Sequence, residues 1–158
     1  MFVDLKQLFD IIGERREIEY SMDLSDYELF GGYPFRGPVR LSGEIYNKAG
    51  IVTLKMRVGF EFTTLCDRCA EEFTRYYEYR FRHVLVQKLN DSRTDKQDLE
   101  DVYIVVEDLR LDLDELMLSD ILLSLPSKML CRQDCAGLCP HCGKNLNDGS
   151  CDCTDIDV

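Results

Sequence analysis

The sequence predicts an α+β protein: mainly an antiparallel β-sheet or partly open barrel, with a short N-terminal helix, one longer helix near 112–125 and a cysteine-rich C-terminal tail. Three observations lead there. Stretches between residues 18 and 85 alternate apolar and polar side chains, the period of half-buried strands. A single later stretch has helical spacing between an acidic cap and a proline. Six of the eight cysteines fall after residue 130.

Val3, Leu5, Leu8, Phe9 and Ile12 lie near a helical period and Gly13 is a natural stop, so a first helix is expected over Val3–Ile12. After the charged run Glu14 to Glu17, the alternation of Ile18, Tyr20 and Met22 predicts a strand. Phe30 to Pro38 is dense in glycine and proline and reads as a loop. Val39, Leu41 and Ile45 share one parity, Asn47 to Gly50 form a turn, and Val52, Leu54, Met56, Val58, Phe60 and Phe62 alternate again, which predicts a hairpin. Phe73, Tyr77, Tyr79, Phe81 and Leu85 then share a parity opposite to that of Arg80 and Arg82, so a third long strand is expected beside the second. Asn90 to Asp101 is polar and charged and reads as a loop, followed by a short β-branched run at Val102–Val106. Asp112 and Glu115 fit a capping box with Leu111 and Leu116 in staple positions. The helix they open runs through Met117, Ile121 and Leu122 until Pro126.

A formal charge of −11 opposes wrapping around a phosphate backbone, because nucleic-acid affinity comes largely from Lys and Arg displacing counterions. The charge therefore argues against a global RNA clamp and for basic partners, or serves only to keep the protein soluble. The acidic residues concentrate between Asp108 and Asp120, which suits a basic protein. Arg75, Arg80, Arg82 and His83 are the best candidates for RNA contact, although arginines on the wet face of a strand need no partner. Asp4 and Asp10 interrupt the N-terminal apolar residues where a signal peptide needs a continuous run, and no stretch is long and apolar enough for a bilayer. The expectation is a cytoplasmic protein with no membrane partner.

In a reducing compartment, thiolates serve as metal ligands or redox catalysts more than as disulfides. Cys66-Asp67-Arg68-Cys69 is a C-x-x-C at a strand end, a spacing that lets two thiolates grip one ion at about 2.3 Å. A thioredoxin-like site would need a helix after the motif, whereas an extended pattern resumes there. The tail is more specific: Cys131-x-x-x-Cys135, then Cys139-Pro140-His141-Cys142-Gly143, then Cys151-Asp152-Cys153. Cys139 to Gly143 looks like a zinc knuckle, whose glycine allows a turn that aims backbone N–H groups at sulfur. Cys139, Cys142, Cys151 and Cys153 make one four-sulfur set; Cys66, Cys69, Cys131 and Cys135 remain for a second, which would brace the strand turn to the end of the helix. A single site drawn from Cys135, Cys139, Cys142 and one late cysteine is the competing partition, so one or two Zn ions are expected. His141, next to a complete thiolate set, is read as a bystander. The tail has almost no apolar side chains, so metal must order it. The chain divides accordingly into a β-rich body with helix at 1–130 and a zinc-stabilised tail at 131–158 packed on it.

The element order, with Leu65-Cys66-Asp67-Arg68-Cys69 after the hairpin, Leu123-Ser124-Leu125-Pro126 closing a helix, and Cys135-Ala136-Gly137-Leu138-Cys139-Pro140-His141-Cys142-Gly143-Lys144-Asn145-Leu146-Asn147 near the end, resembles the YceD family, also called large ribosomal RNA subunit accumulation protein. The likeness spans nearly the whole chain, by pattern in the first half and by specific motif in the tail. It implies a bacterial or plastid protein needed for accumulation of large-subunit ribosomal RNA, with no established enzymatic activity. Some relatives lack most of the tail cysteines, which makes zinc a structural support and not the shared function.

The expected function is thus a non-enzymatic zinc-binding factor for assembly of the large ribosomal subunit, contacting a basic ribosomal protein, favoured by the acidity, or ribosomal RNA. The alternative is a redox-switched holdase chaperone, in which oxidant expels zinc and unfolds the tail. Zinc catalysis is disfavoured because an all-thiolate site leaves no position for water, and with only two histidines no nucleophile and base pair is evident, so no small-molecule substrate is expected.

Overall fold

The computed structural model describes residues 1–87 and 103–153. The elements run β1 (Phe2–Asp4), α1 (Lys6–Asp10), β2 (Arg15–Met22), β3 (Val39–Lys48), β4 (Ile51–Leu65), β5 (Glu72–Val86), β6 (Tyr103–Val105), β7 (Arg110–Asp112) and α2 (Leu113–Ser124). Five strands form one sheet in the order β2-β3-β4-β5-β6, antiparallel except for β6, which runs parallel to β5. β1 and β7 form a separate antiparallel pair. The large sheet stays open and does not close into a barrel.

The period-two pattern explains which face is buried. In β4 the even residues Val52, Leu54, Met56, Val58, Phe60 and Phe62 are each at most 3% exposed, while Lys55, Arg57 and Glu61 between them face solvent. Phe35, from the loop before β3, drops its ring between Phe60 and Phe62, with centroids 5.5 and 5.3 Å away. α2 adds Leu113, Met117 and Ile121, spaced one turn apart and fully buried, so the helix lays one stripe on the core. The Asp112 carboxylate caps it by accepting from Asp114 N at 3.0 Å and Glu115 N at 3.5 Å. At its other end Leu125 is extended, as a residue before proline must be.

The N-terminal expectation needs correction. The helix occupies only Lys6–Asp10; Phe2–Asp4 is a strand paired with Arg110–Asp112, and Ile11 and Ile12 are 50% and 71% exposed. A short isolated helix has little intrinsic stability, so the hydrogen bonds offered by β7 win Val3 and its neighbours. The short run near Val102–Val106 does form a strand, at Tyr103–Val105. The expected loop at Asn90–Asp101 lies outside the described residues.

Gly43 sits on β3 opposite Met56, at a position where the neighbouring backbone approaches too closely for any side chain: a Cβ there would run into the Lys55 carbonyl oxygen. Gly43→Ala should therefore lower unfolding free energy by about 1–3 kcal/mol in urea denaturation, through overpacking against backbone that cannot yield. Asp112→Ala should cost about 1 kcal/mol by the same measurement, through loss of the cap of α2.

Candidate metal centres

The turn between β4 and β5 carries the first two sulfurs. Cys66 N donates to Glu71 O at 2.8 Å and Ala70 N to Cys66 O at 2.9 Å, with Ala70 in the left-handed region at φ 59°, so Cys66 and Cys69 project to the same side. After α2 the chain returns to this turn and is clamped there. Asp67 N donates to Met129 O at 2.8 Å and Met129 N to the Asp67 carboxylate at 2.6 Å. Arg75 Nη2 donates to Leu130 O and Cys131 O at 2.9 and 3.1 Å, and Arg68 Nη1 to Cys135 O at 2.9 Å.

These contacts bring Cys66, Cys69, Cys131 and Cys135 together, with Cys66–Cys135 and Cys69–Cys131 sulfurs each 3.7 Å apart and all four within 4.8 Å. A tetrahedron of sulfurs about an ion at 2.3 Å has edges of about 3.8 Å, whereas a disulfide requires about 2.05 Å. The spacing fits a tetrahedral ion. Cys66, Cys69 and Cys135 are buried and Cys131 is half-buried.

The second group is Cys139, Cys142, Cys151 and Cys153, again within 4.8 Å of one another. Cys139 N donates to Lys144 O at 2.8 Å and Gly143 N to Cys139 O at 2.9 Å, with Gly143 at φ 72°. Lys144 Nζ donates to Ser150 O at 2.8 Å, closing the loop that returns Cys151 to 3.3 Å from Cys139. Cys142 and Cys153 are exposed, so this centre stands nearer to solvent than the first. His141 belongs to neither group.

The electrostatics are those of thiolates crowded together. Burial opposes charge on Cys66, but backbone hydrogen bonds from Cys131, Cys69 and Arg68 outweigh it and bring the thiol down to about 6. At Cys139, backbone hydrogen bonds from Cys142 and His141 likewise bring it down to about 6. Cys69 has a favourable backbone bond from Glu71, yet burial and its sulfur neighbours push it up to about 12. Cys153 is pushed up to about 12, first by Cys142 and then by burial. The first group thus sets lowered thiols at Cys66 and Cys135 against raised ones at Cys69 and Cys131, and the second sets a lowered Cys139 against a raised Cys153.

Asn147 joins the two groups and had no signal in the sequence beyond its place in a turn. Its Nδ2 donates to Cys135 Sγ at 3.3 Å, while its Oδ1 accepts from Ala136 N at 2.8 Å and Arg132 at 2.6 Å. That bond is the first cause of the lowered Cys135 thiol. Arg68 and Asp67, interior to the C-x-x-C, also act as clamps rather than spacers.

The residues considered for RNA contact divide between two faces. Arg80 and Arg82 are exposed on the wet face of β5. Arg75 is tied to Leu130 and Cys131, and His83 Nε2 lies 2.7 Å from the Asp120 carboxylate with its ring stacked on Phe81. The acidic segment is likewise partly engaged: Asp112 caps α2 and Asp120 faces His83, while Glu107, Asp108 and Glu115 are exposed.

The family described as Large ribosomal RNA subunit accumulation protein YceD matches residues 54–158, a span that holds most of β4, all of β5 and α2, and every cysteine. Uncharacterised proteins of Mycobacterium bovis and Mycobacterium tuberculosis are 43% identical over 56 residues, which is 35% of this chain and 27% of theirs. The match thus spans little more than a quarter of the length of these curated relatives. No solved structure matches the chain. With the family match covering about two thirds of its length, the chain belongs to the YceD family.

Proposed function

We propose that this protein is a non-enzymatic, zinc-held factor that supports assembly of the large ribosomal subunit and accumulation of its RNA. The family name implies the ribosomal RNA role, and the family is not known as one of enzymes. The observation that carries the finer reading is the pair of four-sulfur groups, each with its sulfurs within 4.8 Å of one another and the first with 3.7 Å edges that fit a tetrahedral ion. Cys66, Cys69, Cys131 and Cys135 would hold one Zn²⁺, and Cys139, Cys142, Cys151 and Cys153 another. Four sulfurs fill a tetrahedral ion's coordination, so each ion would build structure and present no open position to a substrate. The direct partner is a ribosomal protein or ribosomal RNA of the large subunit, and the working compartment is the cytoplasm. No helix among the described residues is long and apolar enough to cross a membrane.

Zinc does work here that burial cannot. The 131–158 segment offers few apolar side chains, and we take its order to come from metal, making it a module distinct from the 1–130 body. Binding of structural zinc is worth on the order of 10 kcal/mol in small zinc domains, comparable to the whole stability of an ordinary domain.

Metal analysis of purified protein should give two zinc ions per chain. Cys139→Ser should retain one zinc and a folded sheet; Cys66→Ser should lose a zinc and unlock the β4–β5 turn from residues 129–135, seen as faster amide exchange at both. A stoichiometry of one would remove the two-centre reading.

The ribosomal role is tested in cells. Deletion of the gene should lower the ratio of large- to small-subunit ribosomal RNA, and the wild-type chain should restore it and co-sediment with large-subunit precursors. An unchanged ratio with no co-sedimentation would count decisively against it. The exposure of Cys142 and Cys153 favours one second reading, the redox-switched holdase. It predicts that dilute peroxide releases zinc and that the oxidised chain suppresses aggregation of an unfolded client.

A further inference from the structure

The solvent face of the sheet carries an arrangement that the metal centres do not use. Register places Lys55 directly opposite Arg82, and Arg57 directly opposite Arg80, on adjacent antiparallel strands. Residues two apart on a strand share a face, so the four cations form a square, about 5 Å across the strands and roughly 6.6 Å along them. Like charges directly opposite one another destabilise a sheet. Here two such pairs are adjacent, in a chain whose net charge is −11.

Local carboxylates answer this charge poorly. Glu78 is shared at long range, 3.7 Å from Arg57 and 3.9 Å from Arg80. Glu44, across the sheet from Lys55, is engaged with Arg15 at 3.3 Å. Arg82 has no ion pair among the described residues, and Lys55 rests 5.1 Å over the Tyr46 ring. The square opens on a groove of about 590 Å³ whose lining includes Glu44, Lys55, Arg57, Arg80 and Arg82. A second groove of about 490 Å³ continues along the same face to Arg40 and Tyr76. Tyr76 is 61% exposed and lies over Gly59, where a Cβ would collide with its phenol. The bare glycine lets the ring sit close to the sheet as a platform.

We propose that this face binds a single-stranded RNA segment, with phosphates on Lys55, Arg57, Arg80 and Arg82 and a base stacked on Tyr76. Cations in a row with an exposed aromatic on a sheet are the recognition chemistry of single-stranded nucleic acid. An acidic polypeptide would satisfy the cations but has no use for the platform. The proposal rests on the ribosomal role above and names its contact; it also reconciles an acidic chain with an RNA partner, because the binding charge is local.

The test uses the full-length, zinc-loaded chain and a short labelled single-stranded oligoribonucleotide, followed by fluorescence anisotropy across a salt series. Wild-type affinity should fall with salt. Lys55→Gln combined with Arg82→Gln removes two phosphate contacts and should flatten the log–log salt slope by about 1.4. Tyr76→Leu should weaken binding roughly tenfold. The charge variants should keep their zinc and melt no lower than wild type, since they relieve like-charge pairs. Unchanged affinity and slope, tighter binding of polyglutamate than of RNA, or loss of binding accompanied by loss of zinc would each overturn the proposal. Co-sedimentation with large-subunit precursors separates the two claims: wild type that co-sediments without binding RNA overturns this face alone, whereas RNA binding by a chain absent from those particles overturns the ribosomal role alone.

Discussion

The convergence of cysteine sulfurs from distant stretches of the chain is the constraint around which this molecule is organised. Cys66 and Cys135 are 69 residues apart in sequence and Cys69 and Cys131 are 62 apart, yet the sulfurs of each pair meet at 3.7 Å. Hydrogen bonds from Arg68, Arg75 and Asp67 hold the two backbone segments in place around them. Such a clamp joins the far end of the longest hairpin to the chain leaving α2, so that sheet, helix and tail cannot separate independently. It shortens the effective freedom of the chain much as a covalent cross-link does. Under the proposed zinc reading, a cation would balance the sulfur charge, and ordering the tail and binding metal would be one event.

The sheet meets two different demands on its two faces. One face is continuous and apolar, closed by α2, α1 and the Phe35 loop, and supplies the hydrophobic free energy of folding. The other is wet and sets like positive charges opposite one another at its centre, with Glu78 shared between Arg57 and Arg80. A protein selected for stability alone would alternate the signs of opposed residues there. Arg57 opposite Arg80 and Lys55 opposite Arg82 instead set like charges against each other, the observation behind the proposed RNA-binding face.

The two sulfur groups and the charged residues occupy different places in the fold. The first group is largely buried beside the β4–β5 turn and the second stands nearer to solvent, with Asn147, on the loop between Cys142 and Cys151, reaching back to Cys135. The acidic residues near α2 serve partly as internal partners, with Asp112 on the helix N-terminus and Asp120 on His83. Net charge alone is therefore a poor guide to partners, because several of the carboxylates that dominate it are occupied within the fold.

The sequence by itself determined whatever is encoded by local period and spacing. Alternation of Val52 to Phe62 marked β4 and its buried face, Asp112 marked the start of α2, and Pro126 its end. The same spacing identified the cysteines as neighbours in sequence. Long-range pairing decided the rest. Val3 left its helical pattern because β7 offered it a strand partner, β6 joined β5 in parallel across an intervening segment, and Arg75 and His83, which share the parity of Phe73 and Phe81, found Leu130 and Asp120 as partners. The square of cations likewise depends on strand register, whereas the two cysteine groups follow one of the two partitions that the sequence allowed. A one-residue slip reverses the face of every side chain, and no local pattern states which strands will pair or in what register; only the assembled sheet settles it.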